Sequence, residues 1–165
     1  MNDAASNRSA AGAWIPRLAS LALSAYLAGP TLAGAWLHDL YSRGGALAFA
    51  ITTAGVLAGF FLAGKPQCRS VAWPVLSVLC CAAGSMADLR VLHHAGLAFA
   101  LAGWTGAASA GLTAAAAALA WMPAAGWFLS RFHAGGLAGW ERPLAAAAGT
   151  AVLLVIAKST RRSPL

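Results

Sequence analysis

The side chains that could do chemistry fall mainly in four short polar clusters: His38-Asp39 with Arg43, Asp88-Leu89-Arg90 with His93-His94, Arg131 with His133, and Glu141-Arg142. An imidazole titrates near neutral pH, serves as a general base and is a common metal or haem ligand. A carboxylate beside it can orient the ring or pair with a guanidinium. The same residue types also solvate the ends of apolar helices, and any one of them alone reads more simply that way. No HExxH, phosphate-binding loop or G-x-G-x-x-G motif accompanies them. The three cysteines are Cys68, Cys80 and Cys81, without a C-x-x-C pair, so no metal site is predicted. Cys80 and Cys81 lie in an apolar run, where free cysteine behaves as a small hydrophobe. A thiol nucleophile there would need His93 or His94 within hydrogen-bond reach. No cofactor is predicted. A haem or pigment held by His38 and His93 or His94 is the alternative, and it needs both rings at one depth.

The elements that must carry these clusters follow from composition. The chain has 165 residues, 60% of them hydrophobic and 9% charged, with 18 glycines. An ordinary soluble domain is about 25% charged. Eleven Lys or Arg and four Asp or Glu cannot coat a water-facing surface of this size, so the bilayer is the expected solvent. The formal net charge of +7 comes from basic residues scattered singly between apolar runs, which argues against a nucleic-acid surface.

A helix needs about 20 residues, with a range of about 17–25, to cross a bilayer. Uncharged runs predict spans at 18–37, 45–64, 71–87, 91–107 and 110–130. A sixth at 143–157 covers only about 22 Å and must borrow flanking residues. The expectation is an all-α polytopic integral membrane helix bundle of five to six spans, with a tail at 1–17, one transmembrane domain at 18–157 and a basic tail at 158–165. Residues 91–130 hold no Asp, Glu, Lys or Arg and would be about 60 Å long as one helix, so the chain must turn back in the Gly-rich stretch 103–111. Arg8 and Arg17 before an apolar run that ends near Ala33-Gly34-Ala35 imitate a signal peptide, but the segment is expected to be retained as a span whose Pro30 introduces a kink.

Alternating the spans places Arg8, Arg17, Lys65, Arg69, Lys158, Arg161 and Arg162 on one side, and Arg43, Arg90, Arg131 and Arg142 on the other. The positive-inside rule then puts both termini in the cytoplasm of a multi-pass inner-membrane protein. Tryptophans favour the headgroup level. Trp14, Trp73 and Trp104 fall at predicted inner ends, and Trp36, Trp127 and Trp140 at predicted outer ends. Trp121 alone falls in mid-span. All four polar clusters lie on the outer side, which makes His38, Asp39, Arg43, Asp88, Arg90, His93, His94, Arg131, His133 and Glu141 a candidate outer-face cluster.

Gly55 with Gly59, Gly135 with Gly139, and the alanine runs at 114–118 and 145–148 supply small-residue faces for close helix packing. The expected partners are the lipid bilayer and other membrane proteins docked through such faces.

Two stretches resemble the amino-terminal half of the exosortase/archaeosortase family: His38-Asp39-Leu40-Tyr41-Ser42-Arg43-Gly44, leading into the second span, and Ala87-Asp88-Leu89-Arg90-Val91-Leu92-His93-His94-Ala95-Gly96-Leu97, opening the fourth. The likeness covers about residues 35–130. It implies a polytopic relative of sorting transpeptidases that act on carboxy-terminal anchor signals at the outer membrane face. The family's nucleophile is a late cysteine in an Ala-Cys-Ser/Thr-Gly context. Here Cys80-Cys81 comes early and runs into Ala82-Ala83-Gly84, so no catalytic residue carries over. The resemblance therefore implies a shortened, non-catalytic relative with an accessory or structural role in a membrane assembly. The alternatives are a processing enzyme using the outer cluster, and a haem- or pigment-binding subunit of a redox or light-harvesting complex.

Overall fold

Long runs of Ala and Leu favour helix at low entropic cost, and the computed structural model follows that preference. It describes residues 3–39, 42, 44–63, 71–105, 108–125 and 140–162. The elements are α1 (Asp3–His38), α2 (Gly45–Ala63), α3 (Ala72–Ala87), α4 (Arg90–Ala102), α5 (Ala108–Ala117) with a 3-10 turn (Ala118–Ala120), and α6 (Glu141–Arg162). No strand occurs among the described residues. The fold is an all-α bundle.

Several boundaries sharpen the expectations. The stretch expected to be a tail is helical from Asp3 onward, and α1 runs through Pro16 and Pro30 for 36 residues, about 54 Å. The chain leaves the helix after Ala102 and re-enters it at Ala108, inside the Gly-rich stretch where the turn was expected. The last helix extends the short apolar run on both sides to 22 residues, about 33 Å. The run at 110–130 is not one unbroken helix. It tightens into the 3-10 turn and leaves helical conformation at Trp121 and Met122. Pro123 accounts for the break, because it lacks an N–H for the Leu119 carbonyl and disfavours helical backbone at Met122. Three helical stretches, Trp14–His38, Gly45–Leu62 and Glu141–Ser159, are long and apolar enough to cross a membrane, while α3 and α5 with its 3-10 turn are shorter apolar helices.

Helices α3 and α4 form an antiparallel hairpin against which α1 packs, α5 lies between α4 and α6, and α6 lies along α2. Helices α2 and α6 are parallel: Gly45, Gly55 and Gly59 of α2 face Arg142, Thr150 and Leu153 of α6 in the same order. This arrangement gives the bundle two ends. At the Trp36 end α1 finishes, α2 and α6 begin, α3 turns into α4, and α5 breaks. At the opposite end Trp14, Phe60 and Trp104 pack mutually at centroid distances of 5.5–6.0 Å.

The interior is built from small side chains. One cluster joins Ala28, Ala48, Ala98, Ala118 and Ala146 with Leu32, Leu97, Leu101, Trp121 and Met122. A second joins Ala102 and Ala114 with Val56 and Leu153. The buried hydroxyls of Ser20, Ser24 and Thr52 donate to carbonyls of their own helices at Arg17, Ser20 and Ala48. This back-bonding satisfies them without a partner helix. Many large apolar side chains also face outward, with Tyr26 78%, Phe61 76% and Met86 90% exposed.

Candidate functional site

The residues of the expected outer-face cluster that are described occur at the Trp36 end, where they fall into two sets by the elements that carry them. Arg43, Arg131 and His133 lie outside the described residues, as do Lys65, Cys68, Arg69, Trp127 and the Gly135/Gly139 pair.

The first set belongs to the α3–α4 hairpin. Asp88 caps α3 with φ 53°, a left-handed conformation that Asp tolerates better than most residues. Its backbone N–H and that of Leu89 return to the Gly84 carbonyl, which closes the turn. Arg90 opens α4 and is exposed, as is Asp88. His93, half-buried, shares a 3.2 Å hydrogen bond with the exposed Ser85 hydroxyl. Glycine at 84 makes this approach feasible, since a Cβ there would lie 2.7 Å from His93 Cδ2 and 3.1 Å from the Leu89 carbonyl oxygen.

His94 points the other way, toward α1, and is 5% exposed. Its Nε2 lies 2.9 Å from Thr31 Oγ1, while the Thr31 hydroxyl donates its single proton to the Ala28 carbonyl at 2.9 Å. His94 Nε2 is therefore the donor and Nδ1 the bare acceptor. Nδ1 is buried with no hydrogen-bond partner among the described residues. The nitrogen facing α1 is thus committed to holding two helices together. Cys81 is buried against Gly96 of α4, and Cys80 is half-buried. Among the described residues, no three His, Cys, Asp or Glu side chains gather closely enough to hold a metal ion.

The second set surrounds the broken end of α5. Helical backbone is interrupted at Trp121 and Met122 and resumes at 123–125, and two side chains from other helices donate to the carbonyls of the interruption. Trp36 Nε1 donates to the Trp121 carbonyl at 3.1 Å. Arg142 Nη2 donates to the Met122 carbonyl at 3.4 Å, a long contact. A guanidinium at the C-terminal end of α5 also complements the negative end of that helix. Arg142 is 3% exposed, whereas its neighbour Glu141 is exposed. Phe49 meets Trp36 and Trp121 at centroid distances of 5.4 and 5.2 Å, the latter edge to face. Ser42, buried, donates to Asp39 Oδ2 at 3.1 Å, and Gly44 adopts φ 77° where the chain turns into α2. His38 ends α1 with an exposed side chain.

Two parts of this geometry were not anticipated from sequence. Trp121, expected in mid-span, is fully buried at the Trp36 end because α5 stops early. Arg142, expected to solvate a rim, instead ties α6 to the break. The proline at 123 and the arginine set directly before Pro143 were the available signals.

No family model matches the chain, and neither the curated proteins nor the solved structures contain a significant match to it.

Proposed function

We propose that this chain is a small multi-pass protein of a bacterial inner membrane, with six spans and cytoplasmic termini, and that it is a non-catalytic accessory or structural component of a membrane assembly, in keeping with its resemblance to exosortases that have lost the catalytic cysteine. The observation that carries this reading is the apolar outer surface, where Leu, Val, Phe and Met side chains of several helices lie exposed. In water such a surface would be costly and prone to associate. In lipid it is neutral, and small residues let backbones approach closely. The parallel course of α2 and α6 supports an alternating path, which six crossings produce.

The non-catalytic part of the proposal is supported by how the reactive groups are used. His94, Trp36 and Arg142 bond to other helices of the same bundle, and Cys81 packs against a helix backbone. Replacing Cys80 and Cys81 together by alanine tests this directly. The double variant retains full biological function at wild-type membrane levels; loss of a processing phenotype at unchanged levels would make the chain an enzyme.

The small-residue faces need a narrower role than partner docking alone. Gly55 and Gly59 are buried against Thr150 and Leu153 of the same chain, so that face is consumed internally. Faces open to partners or lipid include the outer sides of α3, with Val75, Leu76, Leu79 and Met86, and of α6, with Leu144, Val152 and Val155, alongside exposed apolar residues of α1 and α2.

A further inference from the structure

Of the described histidines only His94 is buried, and nothing around it suits a charged ring. Its Nε2–H is spent on Thr31, and its Nδ1 is a bare, buried nitrogen without a hydrogen-bond partner among the described residues. A second proton goes to Nδ1, the one free lone pair of the ring. The new N–H then lacks an acceptor and the new charge lacks an anion, in a part of the bundle closed to solvent.

Among the described residues, the elements packed against α4 supply no counter-charge. Helices α2 and α5 contain no titratable residue. Helix α1 has none between Tyr26, whose side chain is exposed, and His38 at its end. Asp39, just beyond, accepts from Ser42. Helix α3 brings the thiols of Cys80 and Cys81 and ends at Asp88, which is exposed. On α4 itself Arg90 and His93 both act on His94, and both repel a further positive charge.

The place of His94 gives such a charge a consequence. Thr31 lies near the end of α1, which runs on to Trp36, the donor to the Trp121 carbonyl. We propose that His94 is an acid-sensitive clasp: a second proton on its ring releases the end of α1, with Trp36, from the α3–α4 hairpin, and loss of that proton closes it again. The imidazolium keeps its Nε2–H, so it is the unsolvated charge, and not loss of a donor, that parts the helices. The neutral ring holds the helices together above the ordinary imidazole value of about 6.5, and this contribution is lost as pH falls below it, because the open form takes up the proton more readily than the closed form.

The test uses the full chain, purified in detergent, with the three cysteines replaced by alanine and spin labels attached at Leu37→Cys and Met86→Cys. These positions are 77% and 90% exposed, on α1 and α3 at the Trp36 end, so the labels leave the packing intact. Label-to-label distances are measured at about pH 7.5 and about pH 5, on either side of the imidazole range. The expected result is a second, longer distance in acid that disappears when the pH is restored. His94→Gln keeps a donor for Thr31 and cannot be charged, so it shows the neutral-pH distance at both values. His93→Gln responds as its parent does. If His94→Gln fails to fold, nitrogen-15 spectra of the histidine rings decide: His94 carries its proton on Nε2 at neutral pH and is doubly protonated only in the widened form. An unchanged distance in acid, a response undiminished in His94→Gln, or a doubly protonated His94 at the original distance would overturn the proposal.

Discussion

At the residue scale, the polar side chains of Trp36, Arg142 and His94 hydrogen-bond across helices of the bundle. Trp36 and Arg142 cover the two carbonyls exposed where α5 breaks, and the histidine at 94 spends its one N–H on Thr31. Interhelical hydrogen bonds within membranes are worth about 0.6 kcal/mol on average and up to about 1.7 kcal/mol. A double-mutant cycle of Thr31→Val with His94→Leu in a denaturant series is therefore expected to give a coupling of about 0.5–1.5 kcal/mol, and zero coupling would remove the bond from the account. Trp36→Phe should lower stability by about the same amount, because it keeps the ring against Phe49 and removes only the donor to Trp121. These roles were partly legible in the sequence. The clustering of His, Asp, Glu and Arg into four short segments was visible, as was their common side in an alternating path. Their partners were not, because Thr31, Ser85 and the Trp121 carbonyl carry no distinguishing pattern, and which helices meet is decided by packing over the whole chain.

At the element scale, the glycines separate into two classes that single substitutions can distinguish. A Cβ on Gly55 would collide with Thr150 Cγ2 and stand 3.1 Å from its Cβ, on a β-branched side chain with little rotamer freedom. Gly55→Ala should therefore force α2 and α6 apart and cost about 1–3 kcal/mol, read as a lower Tm or denaturant midpoint. Gly29 and Gly34 of α1 have nothing within 4 Å of the same position. Gly29→Ala or Gly34→Ala should raise stability by about 0.5–1 kcal/mol, since alanine loses less backbone freedom in a helix. If all three substitutions behaved alike, the close packing of α2 on α6 would be wrong. Helix positions themselves were well marked by uncharged runs, and the turn near 103–111 followed from the length of the run together with its glycines. The break at Trp121 and Met122 was missed because an apolar run of adequate length reads as a single span unless Pro123 is weighed against it. The start of α1 was missed for the opposite reason, since Asn, Ser and Arg near the terminus read as a tail although nothing in them forbids helix.

At the scale of the whole molecule, uncharged apolar runs pointed to an all-α fold, and the exposed apolar side chains of several helices are the structural counterpart of that composition. The proposed topology rests on the distribution of Lys and Arg alone, and one thiol tests it. In a Cys80→Ala, Cys81→Ala background, an impermeant thiol reagent applied to intact cells should leave Cys68 unlabelled until the membrane is opened, and efficient labelling from outside would reverse the orientation. The proposed accessory role rests on the family resemblance and has no motif of its own, because packing against another membrane protein uses the same apolar surface as contact with lipid. It is also the claim on which the functional account depends. Its most direct test is purification of the native protein from membranes in mild detergent, followed by measurement of the mass and composition of the resulting particle. The account predicts stable, stoichiometric co-migration with other membrane proteins; a particle containing one copy of this chain and lipid alone would contradict it.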